Sequence, residues 1–260
     1  MRRAVLLLAC SFLMFTRVAA QTARQSATDD SGLAQRVARL EQQQEQILQQ
    51  LKVLEVKITP PAGPPTPFKI QSEPFIGERT APIAVVEFAD FECQFCGQFE
   101  RDTYPQVLEN YVKTGKVMFF YHDFPLSSHP HADMAAQAAH CAGDQGKYWE
   151  MHDDLFAHQG QLSERTISTD AQSLTIDSAK LMSCISSGRY AAAIQKSRED
   201  AVQMGVRATP SFLIGTLDAD GHELRVVRAL RGAYTYEAFK SALDGVLAEA
   251  SSDKPIVQKP

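Results

Sequence analysis

The run Cys93-Gln94-Phe95-Cys96 joins two segments of different periodicity, and that junction narrows the possible folds more than any other feature. Upstream, Ile83 to Phe91 (IAVVEFADF) is apolar and β-branched, the pattern of a buried strand. Downstream, Gly97-Gln98-Phe99-Glu100 can start a helix. Two thiols at a strand-to-helix junction place the first sulfur at a helix N-terminus, where unpaired N–H groups and the dipole favour thiolate over thiol. Cys93 is therefore the expected nucleophile, and Cys96, one turn inside, the expected resolving thiol. Structural zinc needs a second ligand pair at short spacing, and no other Cys-x-x-Cys or His-x-x-x-His follows. An inert structural disulfide is the remaining alternative.

Compartment decides what the other cysteines mean. Arg2-Arg3, the apolar run Ala4 to Phe15 and Val18-Ala19-Ala20 before Gln21 have the layout of a cleaved signal peptide over residues 1–20, which predicts an exported, periplasmic-type protein. The run is short for a membrane span; a retained N-terminal anchor is the alternative. Cleavage removes Cys10 and leaves Cys93, Cys96, Cys141 and Cys184, an even number in an oxidising compartment. A Cys93/Cys96 pair that is to stay active leaves Cys141 and Cys184 to each other. The expectation is a structural bridge closing a loop of about 43 residues; two free buried thiols are the alternative. Cleavage also removes three arginines and no acid, moving the formal net charge from −5 to −8. That acidity argues against nucleic acid and anionic membrane surfaces as partners.

Residues 21–30 (QTARQSATDD) are polar and aperiodic, a disordered leader by composition. The stretch 31–58 changes character. Leu33, Val37, Leu40, Gln44, Ile47, Leu51, Leu54 and Ile58 alternate in steps of four and three, a heptad seam that predicts a coiled-coil oligomerisation helix about 39 Å long. Gln44 is one polar residue in that seam, of the kind that fixes register or oligomer state. A lone amphipathic helix packed on its own domain is the alternative. Residues 59–67 (TPPAGPPTP) hold five prolines, end the helix and make an extended spacer.

A catalytic head is expected over residues 68–248, followed by a flexible tail over 249–260. After the strand at 83–91, a helix from the cysteine pair to about Lys113 and a strand at Lys116 to Tyr121 complete a parallel β-α-β unit. Helical periodicity then recurs at 132–142, 147–156, 179–186 and 190–204. A hairpin follows, from Ser211–Ile214 and Leu224–Leu230 around Asp218-Ala219-Asp220-Gly221, and an amphipathic helix at Tyr236–Glu249 closes the head. The predicted class is α/β: β-α-β, a helical insertion over about 127–205, then β-β-α. This is the order of a thioredoxin fold with a domain inserted at its middle.

At these residues the chain resembles the DsbA family of exported thiol-disulfide oxidoreductases, from about Phe68 to Ala248. The likeness rests on Glu87-Phe88-x-Asp90-Phe91-x-Cys93-x-x-Cys96, Phe124-Pro125-Leu126-x-x-His129, Gln145-Gly146-Lys147-Tyr148-Trp149 and Val206-x-x-Thr209-Pro210. The resemblance implies that Pro210 is cis and that Thr209 offers its backbone to a substrate strand beside the sulfurs. It implies that Glu87, a carboxylate inside an apolar strand, is a buried acid relaying the proton of Cys96; a strand-edge glutamate facing water is the alternative. Gln94-Phe95 departs from a dipeptide containing histidine, which argues against the most oxidising extreme, while Phe95 offers clients an apolar contact. His122, His129 and His131 read as loop or helix-start hydrogen-bonding groups, and neither metal nor cofactor is expected.

The activity implied is forming or isomerising disulfides in unfolded or misbridged exported proteins, with a membrane redox partner and a homo-oligomer through residues 33–58. The alternatives are an oligomeric peptide-binding holdase or scaffold, and a reductant in metal or oxidative stress.

Overall fold

The computed structural model describes residues 36–48, 67–70, 73–218 and 220–252. The chain divides into two units, one up to Leu51 and one from Lys52 onward. In the first unit, residues 36–48 are helical and exposed throughout. The expected signal peptide, leader, Pro-rich spacer up to residue 66 and most of the tail lie outside the described residues, as do both ends of the expected coiled coil.

The second unit is built on a six-stranded sheet: β1 (Phe68–Lys69), β2 (Phe75–Ile76), β3 (Ile83–Ala89), β4 (Val117–Asp123), β5 (Ser211–Leu217) and β6 (Glu223–Arg231). Their spatial order is β1-β6-β5-β3-β4-β2. Strand β3 pairs parallel with β4 and antiparallel with β5, so it is central, and all seven of its residues are buried. A strand covered on both faces needs an unbroken apolar run, which IAVVEFA supplies except at Glu87. Register sets Glu87 beside Tyr121 of β4 and Phe212 of β5, on the face that also carries Val85 and Phe119.

The crossover from β3 to β4 departs from the single helix expected. It consists of α1 (Gln94–Asp102), α2 (Tyr104–Val107) and a π-helical turn, Leu108–Val112. Pro105, in the first turn of α2, has no N–H to return to the preceding turn, so the helix breaks at Thr103. The Thr103 hydroxyl then donates to the Tyr234 carbonyl at 2.7 Å, tying the break to the loop before α8 (Tyr236–Ser252). Phe99 of α1, Phe212 of β5 and Phe239 of α8 meet in one buried aromatic cluster, with ring centroids 4.6 to 5.2 Å apart.

The insertion holds five helices where periodicity gave four: α3 (Ala132–Gly143), α4 (Tyr148–Ala157), α5 (Glu164–Ser173), α6 (Ser178–Ser186) and α7 (Ala191–Gln203). Helix α5 is rich in Ser and Thr and buries only Ile167, Asp170 and Ala171, so its apolar stripe is faint. A capping box between Ser163 and Thr166 starts it instead. Cys141 of α3 and Cys184 of α6 are joined by a disulfide, Cα to Cα 5.9 Å.

Candidate active site

Cys93 is the N-cap of α1, with extended backbone (φ −72°, ψ 117°), and Cys96 lies one turn inside. Both are free thiols; Cys96 is fully buried and Cys93 nearly so. Gln94 and Phe95 between them face solvent, and Phe95 is 62% exposed, the most exposed large apolar side chain among the described residues of the sheet-bearing unit. An exposed aromatic ring at the mouth of a reactive sulfur is an apolar platform.

The turn before α1 is pinned by two carboxylates. Asp90 accepts from the Glu92 N–H through Oδ1 and from the Leu126 N–H through Oδ2, both at 2.7 Å, and its Oδ2 lies 2.8 Å from Nδ1 of His129. Glu92 accepts from the His131 N–H at 2.6 Å and meets Nδ1 of the same ring at 3.0 Å. His129 and His131 are thus occupied in fastening the start of the insertion to the cysteine turn. His122 is likewise held, with Nε2 2.9 Å from the Ser197 carbonyl. Among the described residues no three His, Cys, Asp or Glu side chains converge where a metal ion could sit.

Thr209-Pro210 is a cis peptide at the start of β5, and the carbonyl of Thr209 accepts from the Cys93 thiol at 3.4 Å. The Thr209 hydroxyl is buried and has no other partner among the described residues, so it is free to donate to the sulfur once that is a thiolate. The Cys93 pKa falls to about 6: the Cys96 thiol donates to its thiolate first, Thr209 adds a second bond, and the backbone N–H groups of Cys96 and Phe95 add more. Burial moves Cys96 the other way, well above the ordinary thiol range, reinforced by the charge of its neighbour. The two sulfurs are therefore unequal. One is a ready nucleophile and leaving group; the other keeps its proton until something takes it.

Glu87 is fully buried, so the solvent-facing alternative is not what the fold contains. Burial lifts its pKa to about 8, the contact with Glu100 counteracts this in part, and the Cys93 charge adds to it. Glu100, on the Cys96 face of α1, is raised well above the carboxylate range, by burial and then by the Glu87 charge. Two adjacent carboxyls in an apolar core hold at least one proton between them at neutral pH. The sequence reading missed Glu100, although its spacing of four from Cys96 sets both on one helix face. It also missed Gln159, in the turn after α4, whose Nε2 donates to the carbonyls of Phe91 (2.9 Å) and Cys93 (2.8 Å). No periodicity marks a lone loop glutamine. Its neighbour Gly97 leaves a trace, because a Cβ there would collide with Gln159 Oε1.

A family model described as Thioredoxin matches residues 69–244. The chain belongs to the thioredoxin family. The alpha-DsbA1 structure of Wolbachia pipientis superposes with a TM-score of 0.62 at 22% identity, over 70% of this chain and 94% of that one, which gives the frame and its inserted helices as a DsbA-type fold. A "Probable disulfide bond formation protein D" of Bacillus cereus is 30% identical over 105 residues, 40% of this chain and 48% of that protein. The "Na(+)/H(+) antiporter NhaA 1" of Salinispora arenicola is 35% identical over 173 residues, 66% of this chain. The chain spans about a quarter of the length of that antiporter, at 24%. Among the described residues no helix is long and apolar enough to cross a membrane.

Proposed function

We propose that this thioredoxin-family chain is an exported enzyme that forms or rearranges disulfides in other proteins. The observation that carries the reading is the Cys93 sulfur, acidified at a helix N-terminus and facing the backbone of a cis Thr209-Pro210. In this reading an extended client segment pairs with Thr209, Gln94 and Phe95 form the rest of its contact, and Cys93 makes the mixed disulfide. To form a client disulfide, a client thiolate attacks Cys93 of the oxidised pair, the leaving Cys96 thiolate takes the Glu87 proton, and a second client thiolate displaces Cys93. To rearrange one, the reduced Cys93 attacks a client disulfide, and Cys96, giving its proton to Glu87, resolves the adduct, releasing the client thiolate and leaving the pair oxidised. Oxidation of a client leaves the pair reduced, and a membrane redox partner then restores its disulfide. Oxidation of a reduced dithiol peptide, lost in Cys93→Ser and in Cys96→Ser, and a trapped adduct between reduced Cys96→Ser and a client that carries a disulfide, test it. Client protection that survives replacement of both cysteines would favour a holdase instead.

A second observation favours isomerisation over simple oxidation. The helix of residues 36–48 exposes Val37, Leu40 and Ile47, apolar groups of the heptad seam, and Leu48 beside it. Assembly of copies through residues 33–58 covers them and gathers several reactive sites around one misbridged client. Reactivation of scrambled ribonuclease by the full chain, and its loss without residues 31–58, is the expected result; unchanged reactivation refutes it.

A further inference from the structure

Several of the buried polar atoms that lack a hydrogen-bond partner among the described residues fall together. Both oxygens of Glu87, Glu100 Oε1, Tyr121 Oη, Tyr148 Oη, Asp123 Oδ1 and His152 Nε2 are all of this kind. Register explains the grouping: Glu87 is the lateral neighbour of Tyr121 across the parallel β3–β4 pair, and Asp123, two residues further along β4, projects from the same face as Tyr121. The His152 ring fills the space behind, 4.8 Å from the Tyr121 ring. Orphaned buried polar groups are the places where ordered water belongs.

The row ends at an opening. A cavity of about 430 Å³ between β4 and α7 is lined by Tyr121, Asp123, His140 and Lys196 among others. It is large enough for several waters, at about 30 Å³ each. Its outer wall includes exposed residues of α7, so it meets bulk solvent. Asp123 Oδ2 is held by His140 Nε2 at 2.7 Å, which leaves Oδ1 as the free acceptor.

Glu87 itself has no contact with solvent. In the function proposed above, on which this inference rests, a bound client covers the Thr209 side just when the proton from Cys96 must leave. We propose that this cavity is the outlet for that proton, which passes from Glu87 by way of the Tyr121 hydroxyl and Asp123, bridged by water. Each time Cys96 resolves a mixed disulfide, its proton moves to the Glu87 carboxylate, the Cys96 thiolate forms its bond to the Cys93 sulfur, and the external thiolate departs. Glu87 is then returned to its carboxylate when its proton reaches a water of the relay. The Tyr121 hydroxyl takes one proton as it gives up another, so it never has to ionise. Tyr121 and Asp123 act through Glu87 and touch no client.

The test uses the full reduced chain with glutathione disulfide, following formation and then resolution of the Cys93 mixed disulfide in H2O and D2O. Tyr121→Phe keeps the ring that stacks on Phe91 at 5.1 Å. It is expected to slow resolution by roughly 10-fold or more and to raise the solvent isotope effect, with mixed-disulfide formation and the Cys93 thiolate titration unchanged. Asp123→Asn should do the same. Normal resolution in either folded variant overturns the outlet. Glutathione disulfide stands in for a client, so the measurement reads the relay even in a chain inactive on proteins. A chain whose Cys93 forms no mixed disulfide at all refutes the oxidoreductase reading, and the outlet with it.

Discussion

Cys93 Sγ lies 3.4 Å from the carbonyl oxygen of Thr209, a residue 116 positions further along the chain. Between them runs the whole helical insertion, so one of the site's halves is set by α1 and the other by the cis peptide that opens β5. The Cys93 thiolate should therefore be measurable as a separate titration. Its absorbance near 240 nm is expected to appear with a midpoint of about 6 in the reduced chain. Cys96→Ala removes the strongest donor to the sulfur and should move that midpoint upward. An unchanged midpoint would mean that the helix N-terminus alone acidifies it.

Glu87 makes the opposite kind of prediction. Its folded pKa of about 8 stands above the ordinary 4.5, so the fold binds a proton that the unfolded chain releases. The associated stability is fully present below pH 4.5 and is lost as pH rises through 8. At pH 7 the loss is on the order of 3 kcal/mol, from about 1.4 kcal/mol per unit. Glu87→Gln carries no such charge and should gain stability over the parent between pH 5 and 8, in urea unfolding of the oxidised chain, where neither Cys93 nor Cys96 titrates. Parallel pH profiles for the two chains would contradict this. Glu100 shifts in the same direction, so the slope should flatten in the variant without vanishing.

Gly97 sits on α1 directly beneath Gln159, whose amide holds two carbonyls of the cysteine turn. Gly97→Ala should displace that amide and cost roughly 1 to 2 kcal/mol for the buried hydrogen bonds lost. Gln159→Ala should give a similar loss, and the double variant little more than either. Additive losses would show that the two residues act independently.

The Cys141–Cys184 bridge links α3 to α6 inside the insertion, away from α1. Closing 43 residues should contribute roughly 3 to 4 kcal/mol in the chain-entropy description. The Cys141→Ala, Cys184→Ala chain is expected to unfold at correspondingly lower urea with the Cys93 titration little changed.

The strands that carry the site were legible because burial on both faces forces a long apolar run, as in β3, and because Gly and Asp residues mark the β5–β6 turn. The break at Thr103 was also written in the sequence, in Pro105, but helical periodicity on either side hid it. Strands β1 and β2 are two residues each, too short for any period to register. Within the site, the cysteines and Thr209-Pro210 were legible as local motifs. Glu100 and Gln159 matter only through what they face, which depends on how α1 packs against β3 and the end of α4.

The N-terminal seam gives the last prediction. Val37, Leu40, Ile47 and Leu48 lie 45% to 62% exposed on one short helix, a costly arrangement for a chain that stays alone in water. In a coiled coil these groups are buried against identical helices, and the stability of such an assembly grows with protein concentration. Light scattering of the chain beginning at residue 21 should therefore give a mass several times that of one chain, while a chain beginning at residue 67 gives the monomer mass. Leu40→Glu with Ile47→Glu, in the longer chain, should dissociate the assembly and leave the oxidation of a dithiol peptide per head unchanged, since neither residue belongs to the Cys93 site. A monomeric longer chain would remove the stalk from the proposed function and leave the head's chemistry untouched.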